Sequence, residues 1–164
     1  MALVLENGTV VDGANTFISL ASAGTYMGNR TDTNWTTAST TEKEQALIQA
    51  GMYLNSLNWK GQKISRDQAM EFPRQNFYDG DGFLYATNAI PSKVAQAQVE
   101  AALKHLGGYD LFPTVKPGDK IKRKKIDVLE KEFFGGASNN KTDFHVIDGL
   151  LKGFINSGAV MARS

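Results

Sequence analysis

The chain has 164 residues, with 18 Lys and Arg against 17 Asp and Glu, a formal net charge of +1 and no cysteine. This length fits one domain with a hydrophobic core, and the near-neutral charge excludes a general attraction to nucleic acid or acidic membranes. The lack of cysteine excludes disulfides, thiolate zinc sites and a cysteine nucleophile. No signal peptide and no membrane partner are expected, since no apolar run approaches the roughly 18 residues that a membrane span needs.

The first forty residues predict an arm, a helix and a loop. Residues 1–18 contain short apolar runs interrupted by glycine, a pattern typical of an extended arm or a weak strand pair. Ser19 or Ser22 is suited to cap a helix that runs to about Asn29. The polar residues 31–40 predict a loop with a tryptophan as its anchor.

The next segment predicts an amphipathic helix. Thr41 and Glu44 have capping-box spacing, and the periodicity that follows is helical as far as Leu57. Ile48 and Met52 fall nearly opposite the main apolar face, so this helix is either covered twice or offers an apolar spot to another subunit. The main apolar face, which we expect in the core, consists of Ala46, Leu47, Ala50, Tyr53, Leu54 and Leu57.

The middle of the chain predicts a short helix, a loop and a long helix. Ser65 to Gln68 has capping-box spacing, which indicates a short helix that ends before Pro73. Residues 76–89 predict a loop, with a tight turn at its Asp-Gly-Asp-Gly sequence. Pro91 opens a long helix that ends at Gly107-Gly108 and has two apolar stripes, which is typical of a helix between two neighbours.

The most charged segment is KIKRKKIDVLEKEF, residues 120–133. Alternation within it predicts two short strands, about 121–126 and 129–134, that form a projecting hairpin. Lys122 and Lys124 then face Glu130 and Glu132, and such pairs stabilise a two-stranded ribbon by a few tenths of a kcal/mol each. The basic side chains are alternatively suited to DNA phosphates, which release counterions on contact. The sequence leaves both interpretations open.

The last segment predicts a helix over 143–157, capped by Asp143, and a tail over 158–164 without periodicity. The expected fold class is therefore mainly α: a small helical bundle of about four to five helices with one projecting β-hairpin (about 121–134) and extended N- and C-terminal arms. We expect a single domain over 1–164, with its helical core at 19–110.

No catalytic, metal or cofactor site is predicted. The two histidines, His105 and His145, stand alone in separate helices, and a surface or helix-terminal role is the ordinary one for such residues. The Asp79 to Gly82 sequence resembles the start of a calcium loop, but its twelfth position is Ile90 rather than the required Glu. Neither phosphate-binding glycine motif is present. We therefore expect no enzymatic activity.

Short blocks along almost the whole chain resemble a family of tailed-bacteriophage proteins, often labelled DnaT-like single-stranded-DNA-binding and encoded among the head genes. One departure is Phe72, where the family commonly has tryptophan before Pro-Arg. The blocks that carry the resemblance are Ala14 to Leu20, Tyr26-Met27, Asn29-Arg30, Ala46 to Gly61, Phe72-Pro73-Arg74, Ile90-Pro91, Lys122 to Glu132 and Val160 to Ser164.

The family is similar to the head-tail connector, or adaptor, class of small helical proteins that form a ring, typically of twelve copies, beneath the portal. The resemblance implies a structural protein of the virion neck that bridges the portal protein to the next neck or tail-completion protein. It also implies contact with further copies of the chain and with packaged double-stranded DNA in the lumen.

The resemblance implies roles for three groups of residues. The apolar spot at Ile48 and Met52 suits subunit packing in a ring. The hairpin would face the tail or the DNA channel, and the C-terminal segment would engage the portal. The hairpin residues are Lys120, Lys122, Arg123, Lys124 and Lys125, and the portal-contact residues are Phe154, Ile155, Val160, Met161, Arg163 and Ser164.

Two other functions stay open at this point. The family label suggests a replication-type protein that binds single-stranded DNA, although the near-neutral charge and the lack of interleaved aromatic residues disfavour it. A scaffolding or assembly factor is the third alternative, and such a protein would be absent from mature particles.

Overall fold

A computed structural model describes residues 2–28, 30, 32–112 and 144–156. Within these residues the fold is mainly α, as predicted. The helices and strands, in chain order, are α1 (Leu20–Gly28), α2 (Thr33–Thr37), α3 (Thr40–Asn55), β1 (Gln62–Lys63), β2 (Arg74–Gln75), α4 (Ser92–Leu106) and α5 (His145–Leu151). The predicted hairpin at 121–134 and the tail at 158–164 lie outside the described residues.

The N-terminal segment has almost no regular structure, but it is not the extended arm that was predicted, because it folds back and packs on the helices. Its Phe17 and Ile18 are buried in the core. The Glu6 side chain is 1% exposed, and its carboxylate accepts hydrogen bonds from the backbone N–H groups of Gly8, Val10 and Val11 at 2.8, 3.1 and 2.8 Å. These bonds satisfy a buried charge that would otherwise be costly. They also fold the segment back on itself.

Helix α1 begins after Ser19, as predicted, and the Ser22 N–H donates to the Ser19 hydroxyl at 3.1 Å. The loop predicted over 31–40 instead contains the short helix α2. Its N-cap is Asp32, whose Oδ1 accepts from the N–H groups of Asn34 and Trp35. Trp35 is buried, so the tryptophan does anchor this part of the chain.

Helix α3 begins two residues earlier than predicted. The capping box is Ser39 with Glu42: the Glu42 N–H donates to Ser39 Oγ at 3.3 Å, and the Ser39 N–H donates to Glu42 Oε2 at 2.7 Å. The Ser39 hydroxyl and, to a smaller extent, the Ser39 backbone N–H donate to the Glu42 carboxylate and lower its pKa. The predicted core face is confirmed, with Leu57 only partly buried; the buried apolar residues are Ala46, Leu47, Ala50, Tyr53 and Leu54.

Helix α4 is the centre of the fold and packs against α3, α5, α2 and α1. It follows Pro91 and ends at Gly107, as predicted. Its Gln98 is fully buried: Oε1 accepts from the Phe17 N–H at 2.7 Å, and Nε2 donates to the Leu47 carbonyl at 2.8 Å and to Thr16 Oγ1 at 3.1 Å. This one amide joins the N-terminal segment, α3 and α4.

Strands β1 and β2 pair antiparallel, with Gln62 opposite Gln75 and Lys63 opposite Arg74. The chain between them is not the predicted short helix. Gln68 instead turns its side chain inward, where Oε1 accepts from the N–H groups of Ile64 and Ser65. A side chain that bonds the preceding backbone in this way competes with the helix that its spacing predicts.

Helix α5 ends at Leu151 and not at 157 as predicted. Gly153 has φ of 88°, a left-handed conformation that ends a helix readily only at glycine. The chain then runs extended beside Trp59: the Lys60 N–H donates to the Phe154 carbonyl at 3.0 Å, and the Asn156 N–H donates to the Asn58 carbonyl at 2.8 Å. The C-terminal segment is therefore fixed to the loop that follows α3.

An aromatic cluster fills the core between these segments. Phe72 is its centre, with ring centroids 4.9 Å from Trp59, 5.0 Å from Phe77 and 5.9 Å from Phe17, all in edge-to-face geometry. Phe77 continues the cluster to Phe154 at 5.3 Å. Edge-to-face pairs of this kind add about 0.5–1.5 kcal/mol each beyond the area that they bury.

Candidate protein and nucleic-acid interfaces

The basic run predicted to face DNA or the tail, at 120 and 122–125, lies outside the described residues. So do Val160, Met161, Arg163 and Ser164 of the predicted portal contact. Their roles stay predictions. The structure does describe the other predicted residues, which are Ile48, Met52, Phe154 and Ile155.

The two residues predicted for subunit packing differ in exposure. Met52 is 54% exposed on α3, whereas Ile48 is partly buried. Both lie away from the core face, which includes Leu47 and Leu54. An apolar contact with another subunit at this point would therefore depend mainly on Met52.

Phe154 and Ile155 have structural roles in the body formed by the described residues up to 111 and from 144. Phe154 is 1% exposed and packs on Phe77 and Tyr85, and Ile155 pairs with Trp59 across an antiparallel bridge. In this arrangement the Phe154 side chain is covered by its own chain. Ile155 is only partly buried, so a portal contact by Ile155 and by the residues that follow stays a prediction.

A prominent exposed feature is the turn at residues 78–84, hereafter the 78–84 turn. Tyr78 and Leu84 form an antiparallel bridge, and the Asp79 N–H donates to the Phe83 carbonyl at 3.0 Å. The Asp79 carboxylate accepts from the N–H groups of Asp81 and Phe83 at 2.9 and 2.8 Å. Gly82, at φ of 88°, completes the turn. These bonds fix its shape.

The 78–84 turn is anchored from below. Phe77 and Tyr85 flank it, and the Tyr85 N–H donates to the Phe77 carbonyl at 2.9 Å. Both rings pack on Phe154, with centroids 5.3 and 5.9 Å away. Burial raises the pKa of Tyr85, and the nearby Asp79 carboxylate raises it further. The turn therefore stands on the aromatic cluster of the core.

Large apolar side chains of the turn point to solvent. Phe83 is 72% exposed, Leu84 60% and Tyr78 47%. Bridge partners lie on the same side of a strand pair, so Tyr78 and Leu84 form one continuous surface. Exposed apolar groups that cluster on an ordered segment are typical of a protein-binding surface, whereas single exposed ones are ordinary. The adjacent carboxylates of Asp79 and Asp81 disfavour contact with nucleic-acid phosphates.

The described residues as a whole are acidic. They contain nine Lys and Arg against twelve Asp and Glu, a net charge of −3, and the rest of the chain carries +4. Several of the nine cations are also engaged within the body. Arg30 pairs with Glu100, Lys63 pairs with Glu71 at 2.8 Å, and the Arg74 guanidinium bonds to backbone carbonyls. An electrostatic attraction to DNA would therefore have to come mainly from residues 113–143.

Base stacking also has little support in the body. Trp35 lies in a depression with Arg30 and Lys43, a combination suited to nucleotides in principle. However, Trp35 is only 6% exposed, and the Lys43 ammonium lies 5.6 Å above its ring. A single-strand binder needs open ring faces in a basic groove. This depression does not offer one.

No metal-binding group is found in the residues described. His105 and His145 are both exposed, and no group of three or more His, Cys, Asp or Glu that could hold a metal ion occurs in this part of the chain. Among the described helices, none is both long enough and apolar enough to cross a membrane.

Sequence reasoning identified the tight turn at residues 79–82 but missed the surface around it. The available signal was the position of Tyr78, Phe83 and Leu84 directly beside an Asp-Gly-Asp-Gly turn. Turn residues of this type lie at the surface, so the apolar residues next to them have few ways to be buried.

Comparison with known proteins gives one family. No curated protein and no solved structure matches the chain. The model of the family described as "Putative DnaT-like ssDNA binding protein" matches residues 1–164, so the chain belongs to this family over its whole length.

Proposed function

We propose that the chain is a structural adaptor of the phage head-tail connector. In this proposal copies of the chain form a ring beneath the portal protein and bridge it to the next neck or tail-completion protein. The site of action is the neck of the virion, and packaged DNA passes through the lumen of the ring. The proposal assigns no catalytic activity and no cofactor to the chain.

The observation that carries the proposal is the 78–84 turn. Its hydrogen bonds and its aromatic base fix the shape of the turn, and three large apolar side chains of the turn are exposed to solvent. Preorganised apolar groups of this kind favour protein partners, because little conformational entropy is lost when they dock. The acidic charge of the body, −3 over the described residues, agrees with contacts to protein rather than to phosphate.

The basic run supplies the link to DNA. Residues 116–132 contain seven basic and four acidic side chains, a net +3 in each copy. A ring multiplies this charge around one channel, and such a field acts on passing DNA without sequence readout. We propose that Lys122, Arg123, Lys124 and Lys125 supply most of this field.

Single-stranded-DNA binding is the second candidate function. The description of the family favours it directly, and the same basic run would supply the phosphate contacts. In that case the purified chain alone would hold an oligonucleotide, with an affinity that falls steeply as the salt concentration rises.

Cryo-electron microscopy of the neck of purified particles tests the adaptor proposal. A ring of copies directly beneath the portal is the expected result, and deletion of residues 158–164 should leave the body folded but abolish attachment to the portal. Absence of the chain from particles would overturn the proposal. Tight, salt-sensitive oligonucleotide binding by the isolated chain would then support the second candidate.

One variant of the basic run distinguishes contact with packaged DNA in the channel from binding of single-stranded DNA in solution. Neutralising Lys122, Arg123, Lys124 and Lys125 together should leave ring formation intact while particles leak DNA or fail to eject it. A single-strand binder with the same four changes would instead lose its oligonucleotide affinity in solution.

A further inference from the structure

The body carries a second exposed surface whose chemistry complements the 78–84 turn. The segment Lys60 to Arg66 places Ile64, which is 41% exposed, between two exposed cations, Lys60 and Arg66. We define these three residues as the basic strip. The turn is apolar with carboxylates at its tip, and the strip is apolar with cations on either side.

We propose that the 78–84 turn of one copy docks on the basic strip of a second copy. This inference rests on the self-assembly in the proposed function, and it identifies the surfaces that form the contact. Phe83 of one copy would cover Ile64 of its neighbour, and the Asp81 carboxylate would lie between Lys60 and Arg66.

The charged residues assigned to the contact are those left available by the fold. Asp79 is used inside the turn, where its carboxylate accepts two backbone N–H groups. Lys63 is paired with Glu71 of its own chain. Asp81, Lys60 and Arg66 are exposed at the surface and are suited to pair across an interface, where opposite charges fix orientation and suppress wrong partners.

The two surfaces are connected through a close backbone contact within the same chain. Gly61, beside Lys60, packs so closely that a Cβ there would lie 2.8 Å from the Gln75 carbonyl oxygen and 3.2 Å from Phe77 Cα. Phe77 is the residue from which the turn starts. Each copy therefore offers one turn and one strip, and contacts between two different surfaces propagate from copy to copy, giving a ring where the rotation closes and an open filament where it does not.

Disulfide trapping tests the contact, because the chain has no cysteine of its own. Full-length Phe83→Cys and Ile64→Cys chains, distinguishable by mass, are mixed under mild oxidation with and without the portal rings of the same phage. The mixed dimer should form several-fold faster than the one between Ile64→Cys and the control Tyr109→Cys, which is also exposed, at 55%. Equal rates with both partners would overturn the proposal.

Charge reversal provides an independent readout. Asp81→Lys or Arg66→Glu alone should weaken self-association by roughly tenfold, and the two together should restore most of it. Additive losses in the double variant would contradict the assigned pair. If rings form on portals while trapping and reversal have no effect, this contact is wrong and the adaptor function stands. If the contact forms but no ring is found in particles, the contact stands and the adaptor function fails.

Discussion

Gly51 of α3 lies directly against the carbonyl group of Asn15. A Cβ at position 51 would lie 2.5 Å from the Asn15 carbonyl oxygen and 3.1 Å from Gln98 Nε2. Glycine inside a helix costs about 1 kcal/mol relative to alanine. Glycine is nevertheless required at position 51, because any side chain there would prevent the N-terminal segment from packing so closely on the helix.

Gly51→Ala should therefore destabilise the protein although it raises helix propensity. The clash is with backbone, which cannot rotate away, and overpacking of this kind costs about 1–3 kcal/mol. Gly24→Ala in α1 is the matched control, since nothing lies within 4 Å of its Cβ position, and it should stabilise by about 0.5–1 kcal/mol. Urea unfolding of both variants measures the difference. A stabilising Gly51→Ala would show that the segment does not pack there.

Gln98→Leu should lower the free energy of unfolding by about 2–4 kcal/mol. Leucine has nearly the same size as glutamine, but it cannot accept the hydrogen bond that the buried Phe17 N–H donates to Gln98 Oε1. Gln96→Leu, on the same helix and only partly buried, should change stability by less than about 0.5 kcal/mol. Hydrogen exchange at the Phe17 amide gives a second readout. Equal effects of the two changes would contradict the bridging role of Gln98.

Arg74→Lys should destabilise the protein strongly although it conserves charge. The Arg74 guanidinium is 8% exposed and bonds at once to the carbonyls of Lys60 and Gly61 at 2.7 and 3.0 Å and to the Glu71 carboxylate at 2.7 Å. A lysine ammonium cannot reproduce this fork, and a loss of about 2–4 kcal/mol is expected. Arg66→Lys at an exposed position should be neutral in thermal unfolding.

Ser39→Ala should cost about 1 kcal/mol at neutral pH, because it removes the cap of α3. Thr41→Ala should cost clearly less, since Thr41 lies within the helix. A larger loss for Thr41→Ala than for Ser39→Ala would place the cap at Thr41, where the sequence pattern first suggested it. Thermal unfolding of the two variants distinguishes these outcomes.

The pH dependence of the same cap follows from Glu42. Its pKa is lower in the folded protein than its ordinary value of 4.5, so its contribution to stability is present above about pH 4.5 and lost as the pH falls through the folded pKa. Glu42→Gln keeps a capping-box residue without the charge. Its unfolding free energy should therefore fall less steeply below pH 4.5 than that of the wild type. If the unfolding free energies of the two proteins fell with equal slope below pH 4.5, this assignment would be wrong.

The sequence predicted the main helices because their periodicity is long. The core face of α3 and the limits of α4, from Pro91 to Gly107, agree with the pattern. The predicted start of α3 was wrong. Ser39 with Glu42 and Thr41 with Glu44 both have capping-box spacing, and only the fold decides between these two pairs.

Short elements could not be predicted in the same way. The helix expected after Ser65 does not form, because Gln68 satisfies two backbone N–H groups and its Nε2 donates to the carbonyls of Met70 and Pro73. The exposure of Phe83 also depends on the whole fold, since nothing local states that a phenylalanine beside a turn stays uncovered. The sequence therefore predicted the basic run but not the exposed apolar surface of the 78–84 turn.

The pairing of residues 154–156 with 58–60 has a mechanical consequence. If the residues after Asn156 are attached to a portal, any tension on them reaches the body through the bonds from Lys60 to Phe154 and from Asn156 to Asn58. Gly153 lies against Gly80: a Cβ added at position 153 would lie 2.8 Å from Gly80 Cα. Tension applied after Asn156 would then reach the 78–84 turn through the contact of Gly153 with Gly80. The attachment to the portal and the contact of the 78–84 turn with another protein would therefore bear the same tension.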